Sequence, residues 1–478
     1  MYASKVIYTD KNGKTYELYY PIIFNPLTDE RFEFTIIGVT NNYSVKAKGG
    51  LTGKVAIPSF YRGGKVTQIE DYAFFEFNSK ITAVEIPSSI THIGLHAFER
   101  CSNLVDVNIP DSVTSIGEYA FYGCSSLEEI DLVNGATYIT KSGYDAEMDQ
   151  DFITYFRGIG KGMFGNCTRL TNVSLPNDIV IIDNDAFSDC TNLVGINLPS
   201  TVREINDNAF AMCHNLEEFS IPTSVTYIGF RAFQHCYGLT RLVIPRTVTK
   251  IEQQAFLFCK NLTLSVSSQN TNYYIKNGCL IEKETKLILF TNPSATVSSD
   301  ATGIGSGAFS GNTYFAPIKI PLSITRIESL AFQECENLVL HVEAESKPDG
   351  WDNDWCDDSV QVIWGYKEDD DTCDHNYGGW VTTVLPTCTK FGMMERTCSV
   401  CGEVEIEAIE PLGHDPSDWI IDVQPTVQTE GSKHKECTRC GEILETESIP
   451  KLDEETYIYL VTEDGAYLTD EQGNLLII

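Results

Sequence analysis

An Ala-Phe pair that returns every 23 residues constrains this 478-residue chain more than any other feature. The phenylalanines are Phe74, Phe98, Phe121, Phe187, Phe210, Phe233, Phe256, Phe309 and Phe332, and Met163-Phe164 falls in the same phase. Successive spacings are 24, 23, 43, 23, 23, 23, 23, 53 and 23, so the two irregular gaps are one unit plus insertions of 20 and 30 residues. A fixed period of this length marks a solenoid. Each unit is one turn of chain that cannot bury its apolar edge alone and must stack on its neighbours.

The unit from Leu104 to Cys124 shows what one coil contains. Leu104, Val107 and Ile109 make a short strand, and Pro110, which lacks an N–H, suits the strand end. Val113 and Ile116 form a second inward contact, Gly117 is expected to permit a tight bend, Ala120 allows close approach, and Phe121 fills the interior. The predicted fold class is a repeat solenoid, mainly β, with short turns and 3-10 helices. Ten coils at a strand spacing of about 4.8 Å make a stack on the order of 50 Å long.

These residues resemble the BspA-like branch of the leucine-rich-repeat family, whose hallmark is I-P-x-S-V-T-x-I-G-x-x-A-F-x-x-C-x-x-L; the match covers roughly residues 55 to 365. The segment from Lys347 through Trp351 and Trp355 to Gly365 looks like that family's C-terminal closing element. The domain reading is a β-hairpin cap over 1–54, which shields the open face of the first coil, and a solenoid over 55–366 with insertions at 140–159 and about 268–302. An acidic linker follows at 367–372, then Cys/His modules at 373–412 and 413–452, and a β-hairpin or truncated module at 453–478.

Sixteen cysteines divide into two sets of eight. Cys101, Cys124, Cys167, Cys190, Cys213, Cys236, Cys259 and Cys335 all fall three residues after a repeat phenylalanine. That phase predicts an internal ladder of buried thiols rather than a convergent site. Most of the second set lies in two copies of one module offset by 39 residues, with Cys398-Ser-Val-Cys401-Gly402 matching Cys437-Thr-Arg-Cys440-Gly441. A C-x-x-C knuckle lets two thiolates grip one ion while the chain turns, and modules this short lack a sufficient apolar core without a metal or disulfide staple. The ligand set read for the first copy is Cys398, Cys401, Cys388 and His375, with His414 or Cys373 as alternatives to His375. In the second copy Val427 stands at the position of Cys388, and His434 is the substitute, giving His414, His434, Cys437 and Cys440. Structural zinc is the expected cofactor, with disulfides the rival in an oxidising compartment. The modules also look like the tandem C-x-x-C-G repeats that accompany such solenoids in secreted bacterial proteins.

Charge restricts the partners. With 34 basic against 67 acidic residues the chain carries a formal −33, which repels nucleic acid and anionic lipid. No apolar run reaches the length of a membrane-spanning helix, and Met1 to Tyr20 alternates in polarity without the apolar core of a secretory signal. Outward positions of the first strand, such as Glu85, Asn108, Asp131 and Ser174, or Asp106, Glu129 and Asn172, are small, polar or acidic. Interface anchors favour Trp, Tyr and Arg. The insertion 140–159 supplies aromatics instead, and Tyr144, Phe152, Tyr155 and Phe156 are the candidate binding residues of a contact loop. Tyr273-Tyr274 in the second insertion reads as packing.

Enzyme motifs are absent. Gly158-Ile-Gly160-Lys161-Gly162 lacks the spaced glycine and the hydroxyl residue of a phosphate loop, and the acidic stretch Asp352 to Asp358 lacks EF-hand spacing. His214 and His235 adjoin Cys213 and Cys236 but occupy variable exposed positions. The functional expectation is a non-catalytic surface or secreted recognition protein; the resemblance implies adhesion to a host or matrix protein. An intracellular zinc-stabilised scaffold and a carbohydrate-binding accessory region of a larger secreted protein are the alternatives, the latter with a glycan partner.

Overall fold

The computed structural model describes residues 30–451 apart from 49, 76–79, 133–137, 146–149, 294, 313–316, 336, 368–375, 401–403 and 427–428; at 4–9, 15–20, 138–145 and 150–156 it describes the backbone alone. Two units divide the chain: residues 1–382 with 394–408, and residues 383–393 with 409–478.

The first unit is a β-solenoid in which each coil offers two strand positions. The first position gives the parallel strands Gly53–Ala56, Ile81–Glu85 and Asp106–Asn108, then Glu129–Asp131 beside Asn172–Ser174 and Arg241–Ile244 beside Thr263–Val266. It ends with Ile318–Ile320, Val339–Val342 and Gln361–Trp364. The second position gives two-residue strands such as His92–Ile93, Ser115–Ile116 and Ile181–Ile182 within one 12-stranded sheet. Ile116 lies opposite Ile93, and Ile182, Ile205, Ile228 and Ile251 follow one another in the same way. The 23-residue period is therefore the pairing register itself.

The third side of each coil carries the repeated Ala-Phe. From Phe74 to Phe256 the rings lie 4.8 to 5.7 Å apart and within 15° of parallel, every one buried. The Phe98 amide donates to the Ala120 carbonyl at 2.7 Å, and the amides of Phe187, Phe210 and Phe233 do the same to the next coil. The cysteines bond the other way. Cys124 Sγ donates to the Phe98 carbonyl at 3.2 Å, and Cys101, Cys167, Cys190, Cys213, Cys236, Cys259 and Cys335 each reach the phenylalanine carbonyl one coil earlier. All eight are free thiols. Burial pushes the thiols of Cys101, Cys167 and Cys259 up to about 12.

The tight bend lies elsewhere than expected. Gly117 has no positive φ; a Cβ there would meet the Leu95 amide nitrogen at 2.5 Å, so its role is close approach between coils. The left-handed residues flank the phenylalanine, two before it at Tyr119, Asp185, Asn208 and Arg231, and two after it at Arg100, Asp189, Met212 and His235. Two αL residues per coil interrupt any helical run, so turns stand where 3-10 helices were expected; no helix occurs among the described residues.

Both ends of the phenylalanine stack meet an aromatic ring turned edge-on. Phe32 contacts Phe74 at 6.4 Å and 72°, on a hairpin (Phe32–Ile36 with Asn42–Ala47) that pairs onto Gly64–Ile69. Trp355 contacts Phe332 at 5.8 Å and 88°. The acidic stretch weighed for calcium closes the same end. The carboxylates of Asp352 and Asp357 accept the amides of Ser329 and Glu334 at 2.8 and 2.6 Å; at the position of Glu334 the interior coils use a carbonyl of the next coil instead, as Asp189 does with Ala211. The second insertion is packing, as its sequence suggests: Tyr273 is buried with its hydroxyl accepting the Ile251 amide at 2.8 Å, and Phe290 sits edge-on to Phe256.

In the second unit Ile420–Val423, Gly431–Glu436 and Ile443–Ile449 form a three-stranded antiparallel sheet. The strands Val381–Val384, Gly392–Thr397 and Val404–Ile409, each beginning 39 residues earlier and belonging mostly to the first unit, form another sheet of the same order.

Two outcomes check this architecture. Phe210→Ala, which removes one fully buried rung, is expected to cost about 3–5 kcal/mol in urea unfolding. The eight ladder thiols are expected to resist a thiol reagent at pH 8 and to react together once guanidinium unfolds the chain; rapid reaction in the native protein would contradict the ladder.

Candidate functional site

The second knuckle is built by a strand, a turn and a returning strand. Gly431–Glu436 delivers Cys437, the chain turns through Thr438 and Arg439 to Cys440, and Gly441 takes φ +75° before Ile443–Ile449 leads away. The Gly441 amide closes the turn on the Cys437 carbonyl at 2.8 Å. His414 follows Gly413, whose φ of +72° is the left-handed region that favours glycine.

Four side chains meet there: Cys388, His414, Cys437 and Cys440, with one donor atom from each and all four atoms within 4.8 Å of one another. Cys388 Sγ lies 3.5 Å from Cys437 Sγ, and Cys440 Sγ lies 3.6 Å from His414 Nδ1. The other ring nitrogen, Nε2, points at the Glu442 carboxylate at 3.5 Å. That is the carboxylate–histidine arrangement that fixes the ring of a metal-ligating imidazole. Burial raises the Cys437 thiol, but the amides of Asp415, Arg439 and Cys440 and the His414 side chain outweigh it and bring the group down to about 5. Burial and the hydrogen bond to Cys437 push Cys388 up to about 11. The cluster brings three sulfurs and an imidazole nitrogen together, a donor set that can hold a metal ion.

The eight residues named from sequence as ligands therefore do not divide as expected. Cys388 stands with the second knuckle, in the place assigned to His434. His434 lies on the middle strand opposite Ile420, and its Nδ1 contacts Asp422 Oδ1 at 2.6 Å, so its ring is engaged across the sheet. Cys398 is buried and its sulfur accepts the Val400 amide at 3.4 Å. His375 and Cys401, the other members of the first ligand set, lie outside the described residues.

The insertion 140–159 is a hairpin, Tyr138–Asp145 against Gln150–Ile159, placing Tyr144 opposite Asp151, Gly143 opposite Phe152, Thr140 opposite Tyr155 and Ile139 opposite Phe156. Its base joins the solenoid sheet through Tyr138–Ser115 and Gly158–Ile181 pairs; the four aromatic side chains lie outside the described residues. On the first-strand face, Asp106 pairs beside Ala83, Asn108 beside Glu85 and Asp131 beside Ser174, so the outward columns are the ones expected.

Sequence reasoning missed an aromatic and histidine cluster on three successive coils. His214 stacks on Tyr237 at 5.1 Å, His235 stacks on Phe258 at 4.6 Å, and His235 Nδ1 meets the Tyr237 hydroxyl at 2.6 Å. Burial lowers the His235 pKa, with His214 and Arg231 adding to the effect. Cys213 and Cys236 turn inward to their carbonyl partners, so no Cys/His dyad forms. The sequence signal was the 23-residue offset between His214 and Tyr237 and between His235 and Phe258, which places each pair on adjacent coils.

The match to a protein family decides the relationship. The BspA-type leucine-rich-repeat model matches residues 54–149, 157–286 and 290–346 in 6 copies, more than half of the chain. The chain belongs to the BspA-type leucine-rich-repeat family. This BspA-type chain is 28% identical to a T. pallidum leucine-rich-repeat protein of known structure, over 44% of this chain and 89% of that one, with a TM-score of 0.37. A leucine-rich cell surface protein of Faecalibacterium prausnitzii is 24% identical over 69% and 85% of the two chains, with a TM-score of 0.48. The pneumococcal vaccine antigen PcpA is 17% identical over 72% and 88%, with a TM-score of 0.35. No curated protein matches.

Glu442→Gln is expected to weaken metal binding at the BspA-type chain's Cys/His cluster about 10- to 100-fold, the usual effect of losing an outer-shell partner. Competition with a chromophoric chelator measures it, and unchanged affinity would show that His414 is oriented by something else.

Proposed function

We propose that the protein is a non-catalytic recognition protein of the bacterial surface or exterior, which binds a host or matrix protein through its solenoid. The observation that carries this reading is the hairpin Tyr138–Asp145 with Gln150–Ile159, which leaves the repeat and rejoins it without breaking the coil-to-coil pairing on either side. Insertions of this kind in a solenoid often serve binding. Tyr144, Phe152, Tyr155 and Phe156 are its contact residues, and the small acidic side chains of the strand face form the surrounding surface. Family membership and the lack of any catalytic motif support binding without chemistry, and the family resemblance supports the location.

In this reading the Cys388, His414, Cys437 and Cys440 cluster is a structural zinc site. Tetrahedral zinc with bonds of about 2.3 Å to sulfur and about 2.0 Å to nitrogen separates its ligands by roughly 3.5–3.8 Å. The separations of 3.5 and 3.6 Å fit that requirement. Four protein ligands leave no open position, which suits a staple rather than a reaction centre.

Residues 141–154 can be replaced by a two-residue turn that keeps the hairpin's base pairs. The shortened protein is expected to keep its far-UV spectrum and melting temperature while binding to immobilised matrix proteins falls about tenfold or more. Undiminished binding would remove the hairpin from the interface, and a wild-type chain that binds no matrix protein would defeat the adhesion reading.

A further inference from the structure

The 39-residue offset makes the two Cys/His copies comparable position by position. His375 corresponds to His414, and Cys398 and Cys401 correspond to Cys437 and Cys440. Cys373 corresponds to Leu412, and Cys388 to Val427. The second copy by itself therefore holds three ligands, having leucine and valine where the first copy has its remaining thiols. Three donors would leave a zinc-type ion open to solvent, and the fourth must come from outside.

We infer that Cys388 is that fourth ligand and that the metal is a clasp between the two copies, joining the segment 383–393 of the first to the knuckle of the second. This rests on the reading of the cluster as a metal site. Backbone geometry supports it independently of the sulfurs. The Leu412 amide donates to the Thr387 carbonyl at 2.8 Å and the Gly413 amide to the Cys388 carbonyl at 3.0 Å, so the segment runs beside the approach to His414. Arg439, inside the C-x-x-C turn, donates to the carbonyls of Leu412 and Gly413 at 3.0 Å each. The first copy has Val400 at the equivalent place and no such donor. The second knuckle is thus equipped to hold the stretch that Cys388 accompanies. Cys388 and Cys437 are both buried, as ligands of a closed site should be, whereas Cys440 lies at the rim.

A clasp differs from an internal staple in what metal removal releases. An ion held wholly within the second copy would, on removal, loosen that copy alone. Removing an ion held partly by Cys388 would also loosen residues 383–393.

The test uses the full chain loaded with zinc. Tightly held metal is counted after chelator competition in the wild type, Cys388→Ser, Cys437→Ser and Cys398→Ser. Hydrogen exchange of peptides covering 383–393 is followed with and without chelator. The expected result is that Cys388→Ser and Cys437→Ser lose the same equivalent of zinc, singly and together, while Cys398→Ser keeps it. Chelation should speed exchange in 383–393 about tenfold or more in the wild type, and have no further effect in Cys388→Ser. If Cys437→Ser loses the ion and Cys388→Ser keeps it at unchanged affinity, the clasp is overturned and the zinc site within the second copy stands. If neither loses zinc, the metal reading falls and the clasp with it. The exchange measurement on wild-type protein decides the matter even where a variant folds poorly.

Discussion

Everything in the first unit follows from one limitation: a 23-residue coil has an inside only when another coil lies against it. A lone turn would leave its phenylalanine, its thiol and its isoleucine half in water, and the burial of such side chains is worth about 1.5–3 kcal/mol each. Stacking removes that exposure on both faces at once. The ring ladder, the Ile-on-Ile pairing and the thiol-to-carbonyl bonds all run between coils. Few run within one. Stability is consequently a sum of neighbour terms, and the terminal coils are the exposed points. Phe32 and Trp355 occupy them with rings turned edge-on, and the Asp357 carboxylate accepts the Glu334 amide where no further coil offers a carbonyl.

The thiol ladder shows why cysteine fits the site. A group in that position is fully enclosed and faces a carbonyl already occupied along the backbone, so it must be small, apolar in bulk and a weak donor. A thiol meets all three demands. Its acidity moves far above neutrality in that setting, which leaves it without thiolate character and so without reactivity. Cys437 at the second knuckle experiences the reverse. There, amide N–H groups converge on Cys437 and hold it as the charged form.

How much of this could be read from the residues alone differs from part to part. The period gave the coil, its inward positions and its pairing register, because a residue recurring in fixed phase must repeat its environment. The insertions could be placed, since they are the two large departures from that phase. The left-handed positions could not: Tyr119, Asp185, Arg231 and Met212 share no side-chain chemistry that announces positive φ, whereas Gly117 attracts attention for a bend it does not make. The Cys/His cluster was half legible. The C-x-x-C spacing identified Cys437 and Cys440, and His414 was named with them. The assignment of His434 followed from nearness along the chain, and the exchange of Cys388 between copies depends on a register set by Thr387, Leu412 and Arg439, which no spacing encodes.

The equivalence of the coils also bears on how such a molecule can change over generations. Because the junctions between uninterrupted coils are chemically alike, duplication or excision of one such 23-residue block leaves each remaining junction intact, and the two special ends are untouched. Such an event would alter the reach of the molecule by one strand spacing, about 4.8 Å, and move whatever decorates the flanks relative to one another. Length is then a property that recombination can adjust in small equal steps, independently of the folding of any part.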